Sequence, residues 1–124
     1  MIFVFGSNLA GIHGAGAALY ARKFHGAEMG VGEGPTGNCY ALPTKGFKIE
    51  MISLDEIQKA VDNFLVFAMS YPTQKFQVTK VGCGLGGYTN EDIAPMFKKA
   101  PDNCLFDKDW KPWLGEGFEY WGSI

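Results

Sequence analysis

The chain has 124 residues, 47% hydrophobic and 19% charged, with a net charge of −2, which describes one globular domain with enough apolar mass for a core. That balance gives no global attraction to a nucleic-acid backbone, and no apolar stretch approaches membrane-spanning length. Without a signal-like start and with three cysteines lacking paired-ligand spacing, the expectation is a cytoplasmic protein with free thiols, no structural metal and no cofactor.

In chain order, Ile2–Phe5 is a continuous apolar run, as for a strand covered on both faces, and Gly6-Ser7-Asn8 reads as the turn after it. A helix is predicted from about Gly14 to His25, with Gly26 as a left-handed cap and a first turn made almost wholly of Gly and Ala. Glu28–Asn38 is a glycine-heavy loop. Cys39–Leu42 reads as a second strand stopped by Pro43, and Phe47–Ile52 as a short strand or a connection.

Ser53 and Glu56 form a capping box, after which Ile57, Ala60, Val61, Phe64, Leu65 and Ala68 repeat at the spacing of a buried helix face, closed by Pro72. Phe76–Val81 reads as a third strand, Gly82–Gly87 as a turn, and about Asn90 to Lys99 as a short helix. Pro95 in its first turn would place the helix start near Glu91 or Asp92. Asn103–Phe106 is a candidate fourth strand, and the aromatic tail over 107–124 is expected to pack on a core spanning about 2–106. The alternation of strand and helix implies an α/β fold: one three-layer domain with a mostly parallel central sheet and crossover helices.

In such a sheet the three turns, Gly6-Ser7-Asn8, Pro43-Thr44-Lys45 and Gly82–Tyr88, leave from one carboxyl edge, where α/β proteins bind ligands. Gly82-Cys83-Gly84-Leu85-Gly86-Gly87 fits G-x-G-x-x-G, but too little chain follows for a dinucleotide fold. Four glycines in six positions exceed a turn's needs and point to a loop that contacts phosphate or ribose. Asn8 can orient a hydroxyl or simply suit a left-handed turn, and His13 can meet a phosphate, act as a base, or pack. Thr44 and Lys45 end the second strand, where the lysine offers charge to a phosphate or is merely exposed. Cys83 sits among N–H groups that would lower its pKa, although no spacing marks a histidine partner. Tyr88 can stack on a base or ribose. Glu33 and Asp92 are the nearby carboxylates, with no paired acid or base in view.

In these stretches the chain resembles a macro domain, the α/β module that binds ADP-ribose and its relatives, and in particular the small macro-like proteins of bacterial and phage genomes. Phe5-Gly6-Ser7-Asn8 resembles the family's Asn-Ala-Ala-Asn strand end, which implies that Asn8 contacts the distal ribose. Gly11–Ala18 resembles the glycine-rich loop and helix start, and Val81–Tyr88 the diphosphate-cradling loop; the likeness spans about Ile2 to Lys99. Two positions depart: Met1 stands where the family's adenine-reading aspartate would fall, and Gly86 replaces an aromatic residue, leaving a pocket open to bulkier or cyclic ligands.

The resemblance implies a ligand set drawn from Asn8, Gly11, His13, Gly14, Gly16, Thr44, Lys45, Cys83, Gly84, Leu85, Gly86, Gly87 and Tyr88. It also implies either a reader or sequestering protein for an ADP-ribose-like nucleotide, such as a phage sponge for cyclic ADP-ribose signals, or an ADP-ribosyl hydrolase with Asn8, His13 and Lys45 as its polar groups. Partners follow from that: a small nucleotide, no membrane, and nucleic acid only as an ADP-ribosylated substrate. The aromatic tail of so small a domain also suggests a homodimer.

Overall fold

A computed structural model describes residues 1–124. Six strands form one sheet in the order β2-β3-β1-β4-β5-β6, with β1 Ile2–Asn8, β2 Gly34–Thr36, β3 Cys39–Lys45, β4 Phe76–Val78, β5 Cys104–Asp107 and β6 Glu119–Gly122. Every neighbouring pair is parallel except the antiparallel β2–β3 hairpin. The helices are α1 Gly16–Phe24, α2 Leu54–Ser70, α3 Asn90–Ile93 and α4 Lys111–Leu114. This is the α/β fold that the strand–helix alternation implies. No helix is long and apolar enough to cross a membrane.

The strands are apolar without alternation because both faces are covered. Val4, Tyr40, Leu42, Phe76, Val78 and Phe106 face α2 and the segment around Ile93–Phe97. Phe3, Phe5, Cys39 and Ala41 face α1. Helix α2 starts at the Ser53–Glu56 capping box, and its buried residues are Ile57, Ala60, Val61, Phe64, Leu65 and Ala68, as the periodicity requires. Gly26 adopts φ +76° just past α1, whose last turn carries Arg22 and Lys23 against the negative end of the helix dipole.

Several boundaries differ from the sequence expectation. Gly6-Ser7-Asn8 and Pro43-Thr44-Lys45 are not turns but the ends of β1 and β3, which pair as Gly6↔Leu42, Ser7↔Pro43 and Asn8↔Lys45. The glycine-heavy loop holds β2, and the tail holds β6 and the fully buried Trp110. Pro95 splits the predicted helix: α3 starts at Asn90 on a Thr89–Asp92 capping box, and a separate 3₁₀ turn over Ala94–Phe97 takes the proline in its first turn, where no N–H is needed. Phe47–Ile52 is a connection, closed by a single bridge between Lys45 and Met51.

The chain leaves β1 toward α1 on one face and leaves its neighbour β4 toward α3 on the other. Adjacent strands whose connections part in this way open a crevice at their carboxyl ends, the topological switch point of open α/β sheets.

Candidate functional site

A cleft of about 1100 Å³ occupies that crevice. Its floor is the ends of β1 and β3 (Gly6 to Asn8, Thr44 and Lys45), one wall is the start of α1 with Gly14, Ala15 and Gly16, and the other is the loop from Thr79 to Gly86. Of the residues singled out in the sequence, Asn8, Gly14, Gly16, Thr44, Lys45, Cys83, Gly84, Leu85, Gly86 and Tyr88 all line it.

Three do not. His13 is fully buried outside the cleft, edge-on to Phe5 with ring centroids 5.1 Å apart, and its Nε2 lies 3.0 Å from the Glu28 carbonyl. Gly11 packs against Gly30 and Val31: its φ is +70°, and a Cβ there would sit 2.6 Å from the Val31 nitrogen. Gly87 abuts the Met51 side chain. His13 and Gly11 instead zip the 9–15 segment to the 28–33 segment, helped by a Gly30 N–H bond to the Gly11 carbonyl (2.8 Å) and by the Ser7 hydroxyl donating to the Gly32 carbonyl. Of the two carboxylates, Glu33 accepts from Asn63 on α2 and Asp92 closes the α3 capping box, so neither faces the cleft.

Nearly all the polar side chains of the cleft already hold protein partners. The Asn8 amide closes its own loop on Ile12, donating Nδ2–H to the carbonyl (2.8 Å) and accepting the N–H (3.0 Å). Thr79 donates to the Val4 carbonyl (2.7 Å), and Tyr88 to the Ile52 carbonyl (2.6 Å). The Thr44 hydroxyl is 3.5 Å from the Ser7 carbonyl, and Thr89 donates to Asp92. Lys80 is tied to Asp109 at 2.7 Å, a bond that raises the lysine's pKa and lowers the carboxylate's. Cys83 departs from the sequence expectation: burial pushes its thiol up to about 11, outweighing the nearby Lys80 and seconded by Asp92 and Asp107, so it is no thiolate at neutral pH.

What the cleft leaves open is backbone. Helix α1 begins at Ala15, which supplies no side-chain cap, and its first turn carries no acidic residue. The first N–H groups of α1 therefore face the cleft without partners, at the positive end of the helix dipole. Across from them, Gly84–Gly86 forms a 3₁₀ turn after the extended Cys83, and the Gly84 and Leu85 N–H groups bond to nothing in the protein. The two walls meet closely: Gly16, at φ +56°, would place a Cβ only 3.2 Å from Leu85 Cδ1. Lys45, free of any ion pair, adds positive charge at the floor. Two sets of unpartnered N–H donors plus one lysine, with no aspartate or glutamate among the lining residues, are the arrangement that favours an anion.

No family model and no curated protein matches the chain. Among solved structures it is similar to one described as a protein of unknown function from Bacteroides thetaiotaomicron, at 17% identity, over 79% of each chain and with a TM-score of 0.56. At that identity the likeness speaks for the fold alone.

The Gly/Ala start of α1 and the N–H groups of the glycine turn around Cys83 were each legible in the sequence, but that the two face each other across the cleft was not. Lys80, Asn90 and Ile124, also in the lining, escaped the sequence reading because no local pattern marks them; they reach the cleft only once β4, α3 and β6 are placed.

Proposed function

We propose that the cleft binds a phosphorylated nucleotide of the ADP-ribose type, as a macro-like reader or sequestering protein. One observation carries this reading: the acid-free, uncapped N-terminus of α1 faces the open N–H groups of the 84–86 turn across a single cleft. Two donor clusters on facing walls of one cleft suit the linked charges of a diphosphate. The volume is at the upper end for small-molecule sites and leaves room for a sugar or base on either side. Binding is favoured over hydrolysis because the groups that hydrolysis would enlist are occupied: the Cys83 thiol is protonated, the Asn8 amide closes its own loop, and His13 is buried elsewhere.

Ala15→Asp tests this directly. An aspartate at that position caps α1 and raises unfolding stability by about 1 kcal/mol, while its charge occupies the anion site. The expected outcome is a more stable protein that no longer gains thermal stability from ADP-ribose. Ala15→Ser, a cap without charge, keeps the ligand effect. In the wild type, ADP-ribose at a hundred times its dissociation constant contributes ~2.7 kcal/mol. Undiminished binding by Ala15→Asp would sink the proposal.

A further inference from the structure

The cleft is built unevenly around its anion site. Four of its lining side chains, Ile12, Ile49, Leu85 and Ile124, are aliphatic and substantially exposed, whereas a fifth exposed one, Tyr20, packs its ring on Phe3, Phe24 and His25. Leu85 is 69% exposed at the tip of the very turn that offers those donors. An apolar side chain left in water at that point gains nothing for the fold, and burial under a ligand is what would recover its transfer free energy.

Ile49 adds an independent sign. It is the chain's one non-glycine residue at positive φ (+61°), a conformation that a β-branched side chain adopts at a cost. The loop that holds it is tightly closed: Gly46 N–H bonds to the Glu50 carbonyl (2.9 Å), Ile49 N–H bonds to the Gly46 carbonyl (3.1 Å), and Lys45 pairs with Met51. Such a position ordinarily falls to glycine or asparagine. Here it carries an isoleucine that is 43% exposed and lines the cleft, so the strain presents an apolar side chain to the site and adds nothing to the core.

The remaining polar chemistry at the mouth reads no particular base. Most hydroxyl protons of the lining are spent on protein oxygens, and no aspartate or glutamate is available to accept from an exocyclic amine. Asn90 accepts the Trp110 indole N–H on Oδ1 (3.0 Å) and keeps its Nδ2–H donors, and every base offers acceptors to a donor.

We infer that the ligand is recognised by its diphosphate, while its base is held by an apolar clamp of Ile49 and Leu85 that does not distinguish one base from another. The protein then takes nucleoside diphosphate sugars as a class. This rests on the phosphate-binding reading above, and the experiment separates the two.

Titration calorimetry with ADP-ribose, GDP-ribose, CDP-ribose and UDP-ribose should give dissociation constants within about tenfold of one another, whereas a site that hydrogen-bonds its base separates substrates by about 10⁴ or more. Ile49→Gly should melt at the same or a higher temperature yet weaken all four ligands by a similar factor, about tenfold or more for the lost apolar contact. ADP-ribose preferred by more than a hundredfold would overturn the base-indifferent clamp and leave the phosphate site standing. Unchanged affinities in a stabilised Ile49→Gly would remove Ile49 from the clamp and overturn the inference. Failure of all four to bind the wild type would overturn the phosphate site itself and leave the exposed aliphatic side chains to a protein partner.

Discussion

On one face of the sheet, α2 sets Phe64 among Tyr40, Phe76 and Phe97, with ring centroids 5.0, 5.5 and 6.3 Å away, within a continuous apolar cluster that reaches Trp110. On the other, α1 offers Ala17, Ala18 and Ala21 to Phe3 and Phe5, with the half-exposed Tyr20 5.4 Å from the Phe3 ring. The first face buries large aromatic area and carries most of the hydrophobic stabilisation. The second contributes little area, but its small side chains let a nine-residue helix lie close to the strands and bring its bare N-terminus to the ends of β1 and β3. The bulk of the stability and the α1 wall of the cleft are thus assigned to opposite faces, while the other wall leans on the α2 side through Val81 and Cys83. Loops and helix ends that bind ligands are commonly drawn from the less stable parts of a fold.

That division can be broken from either side. The largest effect is expected from Phe64→Ala, which leaves a cavity among three aromatic rings and should cost about 3–5 kcal/mol by urea unfolding. Because Phe64 does not line the cleft, the fraction that remains folded should bind ligand with little change; a large loss of affinity would mean that the α2 core and the cleft are coupled. Ala21→Leu should cost less, about 1–3 kcal/mol, because a fully buried alanine gains bulk against Phe3 and Phe5. Yet it should weaken ADP-ribose binding far more than Phe64→Ala does, since it displaces α1. If stability and affinity instead fell in the opposite order, the contrast between the faces would fail.

The smallest effect concerns His13, which fastens the segment leading into α1. Burial lowers its pKa from 6.5, so the folded protein holds it neutral while the unfolded chain protonates near 6.5. Its contribution is fully present above about pH 6.5 and is lost as pH falls from there through the depressed folded value. Urea midpoints from pH 7.5 to 5 should show this decline, and His13→Phe, which cannot titrate, should reduce it. An unchanged slope in that variant would locate the pH dependence elsewhere.

Much of the architecture was legible because its signals are local. The Ser53–Glu56 capping box and the i, i+3, i+4 spacing of α2 depend only on neighbours in sequence, and the buried face agrees residue for residue. The apolar runs at Ile2, Cys39, Phe76 and Cys104 lie in parallel strands, and this register is what sends their loops to one edge. Strand β2 escaped notice because Gly34-Pro35 disfavours a strand, and β6 because its strand-forming pair Tyr120-Trp121 is too short a run to mark one; both are strands by pairing with β3 and β5.

The candidate site divides in the same way. Sequence alone determined that glycine-rich segments would meet at the carboxyl edge, because glycine, the helix start and the strand order follow from local patterns and general rules of connection. Only the tertiary structure decided which of the polar residues there remain available. His13 finds Glu28 fifteen residues away, Tyr88 finds Ile52 thirty-six away, and Thr79 finds Val4 seventy-five away. A hydrogen bond across such separations leaves no trace in spacing or composition, since it exists only after the sheet has brought its partners within 3 Å. The residues free to meet a ligand are those that the fold did not use, and that remainder can be known only once the fold is complete.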